Sequence, residues 1–320
     1  MQAIVVEQYG GPEVMKLKEI PVGQPGPGQA LVRVMMAGVN FVDIYHRRGT
    51  YPMPLPFTPG REAAGTVEAV GTGVSAVKPG DRVAFVASGG YAQFAVVLAD
   101  SLIPLPPDFS YEQGAAFPLQ GMTAHYLLYE FRKLKPGEIV LIHAAAGGMG
   151  LLLVQWARHL GARVIGTVST EEKAAAARKA GANETILYTK QDFVAETKRL
   201  TDHHGADLII DGVAKTTFAG NLEAAAVRGQ IVIYGAASGP ADPIAPNSLM
   251  PRALSVCGGS LQNFLLTREE LLQRANAVIQ GIREHWLKLE IQVLPLAQAA
   301  QAHQLLESRQ STGKLVLAVG

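Results

Sequence analysis

The sequence predicts an α/β protein built from a β-rich part and a doubly wound parallel sheet. Its 320 residues fit about two domains at roughly 100–200 residues each. Turn signals and short β-like runs fill residues 1–119. From about residue 120, short apolar runs alternate with helical stretches, the rhythm of repeated βα units.

In the first part, residues 3–7, 30–37, 65–70, 82–86 and 94–97 have strand composition. Gly and Pro clusters at 21–28, 51–60, 71–74, 79–80 and 88–90 separate them, so each run is bounded by turn chemistry. A Pro-rich passage over 103–107 is expected to lead out of this part. In the second part the strands are expected at 139–143, 163–168, 184–188, 207–211, 230–234 and 254–257. Their near-continuous Ile, Val and Leu suits strands buried on both faces. Helices are expected at 151–160, 171–180, 193–200 and 218–226. Six such units imply a doubly wound sheet. Residues 268–283 read as an amphipathic helix, 287–293 as a strand, 296–307 as a helix and 313–319 as a final strand. This tail lies beyond the sixth strand and is expected to rejoin the first part. The domains are therefore 1–119 with 266–320, and 120–265. No fixed-period repeat is present.

Composition excludes several function classes. Lys and Arg number 28 against 27 Asp and Glu, for a net charge of +1, so no nucleic-acid or acidic-membrane partner is expected. A hydrophobic content of 48% with 17% charge is too apolar for a disordered chain. The single cysteine, Cys257, forms no intramolecular disulfide and rules out Cys-rich zinc sites. It falls on the last strand of the second part, where burial and inertness are expected. The first residues show no basic leader or apolar h-region, which sets a cytoplasmic location as the expectation. Residues 139–157 carry no formal charge. Gly147, Gly148 and Gly150 interrupt them, so a strand, a glycine turn and a packed helix are expected there rather than a span.

That turn carries the clearest chemistry. A strand runs into Ala145-Ala146-Gly147-Gly148-Met149-Gly150, and a helix follows. This is a dinucleotide fingerprint with Ala at its first position. Gly147 lets the backbone approach a pyrophosphate, Gly150 lets the helix pack closely on the strand, and the helix start offers free N–H groups. About 20 residues on, an NAD enzyme usually places an acid on the ribose 2′-OH. Here the second strand ends in Val168-Ser169-Thr170, with Glu171 and Glu172 slightly late. Ser169, Thr170 and Lys173 suit a 2′-phosphate, so NADPH is the expected cofactor. A second reading stays open, in which Ser/Thr caps the helix and Lys173 is a solvated surface residue.

The chain resembles the quinone oxidoreductase (zeta-crystallin-like) branch of the zinc-independent medium-chain dehydrogenase/reductase family. The resemblance spans essentially all of it. It rests on Gly10-Gly-Pro-Glu-Val14, residues 38–45 (GVNFVDIY), residues 59–67 (PGREAAGTV), Val70-Gly-Thr-Gly-Val74, residues 78–83 (KPGDRV), and the Gly-rich stretch 137–158 including Gln155. It implies a GroES-like β-rich catalytic domain plus a Rossmann domain. It also implies that Asn40 and Tyr45 lie by the nicotinamide and substrate, and Thr123 near the nicotinamide ribose or ring. Gly148 and Met149 would contact the pyrophosphate, and Ser169, Thr170 and Lys173 the 2′-phosphate. Tyr188 would lie beside the adenosine end, and Gly235 and Ala236 would line the nicotinamide half. Arg309 would lie near the cofactor phosphates; read alone, it is a helix-end charge satisfying carbonyls.

Departures from the zinc enzymes of the wider family bear on mechanism. Asn40 stands near the position of their first Cys ligand, and Arg61 replaces the His of their Gly-His-Glu motif. The eight histidines form no ligand spacing; His143 reads as a core histidine, and His203-His204 as part of a polar turn. No metal is expected. The implied reaction passes hydride from NADPH to a quinone or an α,β-unsaturated carbonyl. In it Asn40 orients nicotinamide or substrate, and Tyr45 either donates a proton or is a packed aromatic. Two rivals stay open. One is a thioester reductase of the same fold using Arg47, Arg48 and Arg61 as a coenzyme A patch. The other is a non-enzymatic NADPH-binding protein. A homodimer through the sheet edge near 254–261 is also expected.

Overall fold

The computed structural model describes residues 1–320. The chain divides into two compact units. One holds residues 1–120, 267–275 and 289–320, and the other holds 121–266 and 276–288.

The first unit opens with β1 (Gln2–Val6), β2 (Met15–Glu19) and β3 (Gln29–Gly38). Helix α1 (Phe41–Arg48), β4 (Glu62–Val70), β5 (Arg82–Phe85), β6 (Phe94–Leu98) and β7 (Leu102–Pro104) follow, then helices α2 (Tyr111–Ala116) and α3 (Pro118–Tyr129). The Pro-rich passage is therefore not all connector, because Leu102, Ile103 and Pro104 pair antiparallel with Phe85, Ala84 and Val83. Leu102 and Ile103 are fully buried there, so packing on β5 overrides the weak local strand signal.

The second unit alternates β8 (Ile139–Ile142), α4 (Gly148–His159), β9 (Arg163–Val168), α5 (Glu171–Ala180) and β10 (Glu184–Leu187). It continues with α6 (Phe193–Leu200), β11 (Ala206–Asp211), α7 (Phe218–Ala224), β12 (Ala225–Ile233) and β13 (Ser255–Gly258). The strand order is β10-β9-β8-β11-β12-β13, and every pairing is parallel. This is the doubly wound order 3-2-1-4-5-6. Leu141, Ile165, Ile209 and Ile231 form the buried middle of the sheet.

The tail supplies α8 (Arg268–Arg283), β14 (Ile291–Pro295), α9 (Ala299–Glu307) and β15 (Lys314–Ala318). The strand expected over 287–293 starts later, at Ile291. Leu287 is a buried loop residue whose N–H bonds to Gly281 O. The next residue, Lys288, is clamped by Gln155 of α4: its N–H donates to Gln155 Oε1 at 2.7 Å, and Gln155 Nε2 donates to its carbonyl at 3.1 Å. A side-chain amide thus takes the place of a strand neighbour. In the first unit β14 and β15 complete a seven-stranded sheet ordered β14-β15-β3-β4-β5-β7, with β6 also on β3. Gly38, at the end of β3, pairs with Glu62 of β4 on one side and Val316 of β15 on the other. No helix is long and apolar enough to cross a membrane.

Candidate active site

In the first unit the candidate residues gather where β3 ends and α1 begins. Asn40 is the N-cap of α1, and its backbone N–H donates to Asp43 Oδ2 at 2.9 Å. The Asn40 side chain does not cap. Its Nδ2 donates to Glu62 Oε1 at 2.7 Å, while its Oδ1 accepts from Lys314 Nζ at 2.7 Å and from Gln120 Nε2 at 3.3 Å. Lys314 also pairs directly with Glu62 Oε1, and Glu62 Oε2 accepts from Leu119 N–H at 2.7 Å. All three central residues are buried: Asn40 is 3% exposed, Glu62 0% and Lys314 3%. Gly38 makes room for them, since a Cβ there would overlap Glu62 Oε1 and the Ala115 carbonyl. Asn40 was singled out from the sequence; Glu62, Gln120 and Lys314 were not. The available cue was a lysine opening an otherwise apolar strand, which must find an anion once buried.

A second buried network lies along α1. Arg47, fully buried, donates from Nη1 to His303 Nδ1 at 3.0 Å and pairs with Glu307 at 2.6 Å. Arginine only donates, so His303 carries its proton on Nε2, and that nitrogen lies 3.2 Å from Tyr91 Oη. Tyr91 in turn donates to Asp43 Oδ2 at 3.3 Å. Asp43 Oδ1 is buried without a partner. Burial outweighs the Asn40 N–H and the Lys314 charge and pushes the Asp43 carboxyl up to about 7. Burial, with the Arg47 charge behind it, brings His303 down to about 3.

Tyr45 is half-buried on α1, 6.2 Å from the Phe41 ring and 5.2 Å from Tyr51 in an edge-on arrangement. His46 stacks edge-on with the same Tyr51; burial first, and then the Arg61 charge, hold its imidazole below the usual range. Of the three arginines considered as a patch, Arg47 and Arg48 both pair with Glu307. Arg61 donates to Ser88 Oγ at 2.8 Å. Arg309 is exposed at the end of α9 in the left-handed conformation, φ 59°, and its N–H closes the helix on Leu306 O.

In the second unit β8 turns at Ala144, φ 51°, and α4 starts with Gly147 as N-cap. The N–H groups of Gly148, Met149 and Gly150 find no acceptor in the protein. A Cβ on Gly150 would overlap the Ala144 carbonyl, so only glycine lets the helix seat here. These donors at the positive end of a helix fit a pyrophosphate. At the end of β9 there is no acid; Ser169 and Thr170 follow Val168. Thr170 is the N-cap of α5, accepting from Lys173 N–H at 3.3 Å. Its hydroxyl also helps hold the exposed Glu172 carboxyl low, behind that residue's own N–H. Ser169 Oγ has no protein partner. Tyr188 lies alongside, 41% exposed, with its N–H on Val168 O. Thr123, on α3, is 7% exposed and makes no side-chain bond in the protein.

Gly235 and Ala236 follow β12 in a turn held by Ala237 N–H on Gly212 O and Ser238 Oγ on Val213 O. Beneath them Asp211 accepts from Thr217, Asn221 and the Val213 and Ala214 N–H groups. Asn221 Oδ1 meets His143 Nε2 at 2.7 Å, and His143 Nδ1 meets Thr167. Burial holds His143 below its usual range, against Asp211 and Asn221. It is a hydrogen-bonded core histidine. His203 and the preceding Asp202 have positive φ in a turn, and His204 bonds Asp207 at 3.0 Å. Cys257 is half-buried and accepts from Gln230 Nε2. No group of three or more His, Cys, Asp or Glu side chains is arranged to hold a metal ion.

A β-rich unit joined to a doubly wound sheet with a phosphate-binding turn defines a nicotinamide-dependent oxidoreductase. Family models agree: residues 26–107 match the alcohol dehydrogenase GroES-like domain, and residues 148–277 match the zinc-binding dehydrogenase model. The chain is 42% identical to a 2-haloacrylate reductase of Burkholderia sp, over 99% of this chain and 98% of that one. It is 41% identical to a quinone oxidoreductase of Pseudomonas aeruginosa, covering 97% of each. The crystal structure of Escherichia coli quinone oxidoreductase complexed with NADPH superposes with a TM-score of 0.97 at 38% identity, covering 99% of this chain and all of that one. The chain belongs to the zinc-independent quinone oxidoreductase (zeta-crystallin-like) family of medium-chain dehydrogenase/reductases. The zinc-binding description of its second unit reflects a shared fold, since Asn40 and Arg61 stand where ligands would be.

The first unit's buried groups make a pH prediction. Between about 4 and 7 the folded protein holds a proton on Asp43 that the unfolded chain has released, so this group's contribution falls as pH rises. Between about 3 and 6.5 the folded protein refuses a proton on His303 that the unfolded chain binds, so that contribution rises with pH. Asp43→Asn mimics the protonated acid and removes only the first. Urea unfolding of the variant at steps between about pH 4 and 6.5 should therefore gain stability more steeply with pH than the parent, by up to about 1.4 kcal/mol per unit. Parallel profiles would contradict this.

Proposed function

We propose that the chain is an NADPH-dependent reductase that delivers hydride to a quinone or an α,β-unsaturated carbonyl. The observation carrying it is the α4 turn, with three unpaired N–H groups, followed by a β9 end that offers Ser169 in place of an acid. Bound NADPH supplies the hydride. The chain's own share is to bind, orient and protonate. Gly147, Gly148, Met149 and Gly150 hold the pyrophosphate, and Ser169 and Lys173 the 2′-phosphate. Thr170 takes part through its position as N-cap, because its hydroxyl already serves the helix. Tyr188, Thr123, Gly235 and Ala236 border the dinucleotide, and Arg309 adds positive charge toward its phosphates. Asn40 orients the reacting carbonyl or carboxamide through its second Nδ2 hydrogen, and Tyr45 presents a hydroxyl from an aromatic cluster.

The residues that polarise an alcohol or ketone through zinc are replaced in this sequence, so the acceptor must take hydride readily on its own. The two relatives' names fit this, since a quinone and a haloacrylate are both conjugated acceptors. Pairing of Arg47 and Arg48 with Glu307 weighs against a coenzyme A patch. We extend the proposal to a homodimer in the cytoplasm. The support is β13, which pairs on one side only and leaves an open sheet edge, and a single unpaired cysteine suited to a reducing compartment.

Three experiments test this reading. NADPH oxidation should be rapid with one of two panels, quinones or enones, and Tyr45→Phe should lower kcat/KM on that acceptor by about tenfold or more. Tight NADPH binding without turnover on either panel would replace the enzyme with a binding protein. Ser169→Asp should weaken NADPH and favour NADH by about tenfold or more, read as the ratio of kcat/KM for the two cofactors. Size-exclusion with light scattering should give about twice the 34.0 kDa chain mass; a single-chain mass removes the dimer.

A further inference from the structure

We propose that Lys314 and Glu62 are positioning residues for the reduction, which hold the Asn40 amide in a single orientation. This rests on the reading that Asn40 acts at the reacting end. An asparagine amide carries an acceptor on one side and two donors on the other, and rotation by half a turn exchanges them. In solution nothing favours either orientation. Here Nδ2 faces Glu62 Oε1 at 2.7 Å, and Oδ1 faces Lys314 Nζ at 2.7 Å. A carboxylate only accepts and an ammonium only donates, so a rotated amide would set donor against donor and acceptor against acceptor. Gln120 Nε2, the further donor on Oδ1 at 3.3 Å, has the same sense. One Nδ2 hydrogen is used by Glu62, and the geometry directs the other away from it.

The clamp is itself held. Glu62 Oε2 accepts the Leu119 N–H at 2.7 Å, and Oε1 also takes Lys314. Gly38 lies paired between Glu62 and Val316, which sets the strands bearing the two charges on either side of Asn40. Stability does not account for the pair, because burying two charges costs about what their attraction returns, and apolar residues of similar volume serve a fold as well or better. Its defined product is the orientation of one amide. Lys314 lies 274 residues beyond Asn40, so the last strand becomes part of the active site.

The test is a double-mutant cycle on the full-length enzyme with NADPH and its best acceptor, with kcat expressed per folded molecule. Lys314→Met should lower kcat by about tenfold to a hundredfold, the scale on which a misdirected catalytic group costs rate. In an Asn40→Ala background the same change should have no further effect. Lys314→Arg, which keeps charge and donors, should recover much of the loss. Because Lys314→Met strands a buried carboxylate, Glu62→Gln with Lys314→Met serves as the neutral control. It should unfold near the parent's melting temperature and still turn over slowly. Losses from Lys314→Met and Asn40→Ala that multiply would overturn the clamp alone. So would a folded neutral double variant with parental kcat. An Asn40→Ala variant with parental kcat would overturn the reading of Asn40 and the clamp together.

Discussion

A buried lysine must have an anion. Lys314 opens the last strand at 3% exposure, and an ammonium taken from water without a partner costs several kcal/mol. Glu62 meets it from β4, and the pair can form only if β15 lies beside β3. The return of the C-terminal tail, the completion of the seven-stranded sheet and the setting of Asn40 therefore depend on one charge pair. Around it the apolar strands do the ordinary work of packing: Val32, Val34, Phe85, Leu315 and Leu317 share one core.

The second unit solves a related problem with neutral groups. Asp211 ends a buried strand, and four donors surround its carboxylate: two backbone N–H groups, Thr217 and Asn221. Asn221 passes the network to His143 and Thr167. The turn after β11 and the turn after β12 are thereby fixed to the end of β8. In both units polar burial is satisfied by a connected network rather than by isolated pairs, and in both the network sits under residues expected to meet ligand.

Where the pattern is local, the sequence shows it. Residues 163–168, 171–180, 193–200 and 268–283 form the expected elements with the expected limits, because each has clear periodicity and its own cap or glycine stop. The glycine turn was legible for the same reason: its chemistry is backbone chemistry within six residues. The short strand β2 escaped notice because its Leu17 is 42% exposed and lysines flank it. Helix α1 was hidden by β-branched and aromatic residues, although Asp43 three positions after Asn40 and a left-handed Gly49 mark its two ends. Glu62 with Lys314, and Asp43 with Tyr91 and His303, were out of reach because no local spacing encodes a partner 252 or 212 residues away.

The amide clamp on Lys288 has a consequence for the other end of its helix. Gln155 binds the Leu151 carbonyl one turn back and both polar groups of the Lys288 backbone, so α4 is fixed in rotation about its own axis. Gly150 seats the same helix hard against the strand turn. The direction of the three free N–H groups is thus settled during folding. A phosphate arriving there meets a preorganised set of dipoles and loses little affinity to ordering them.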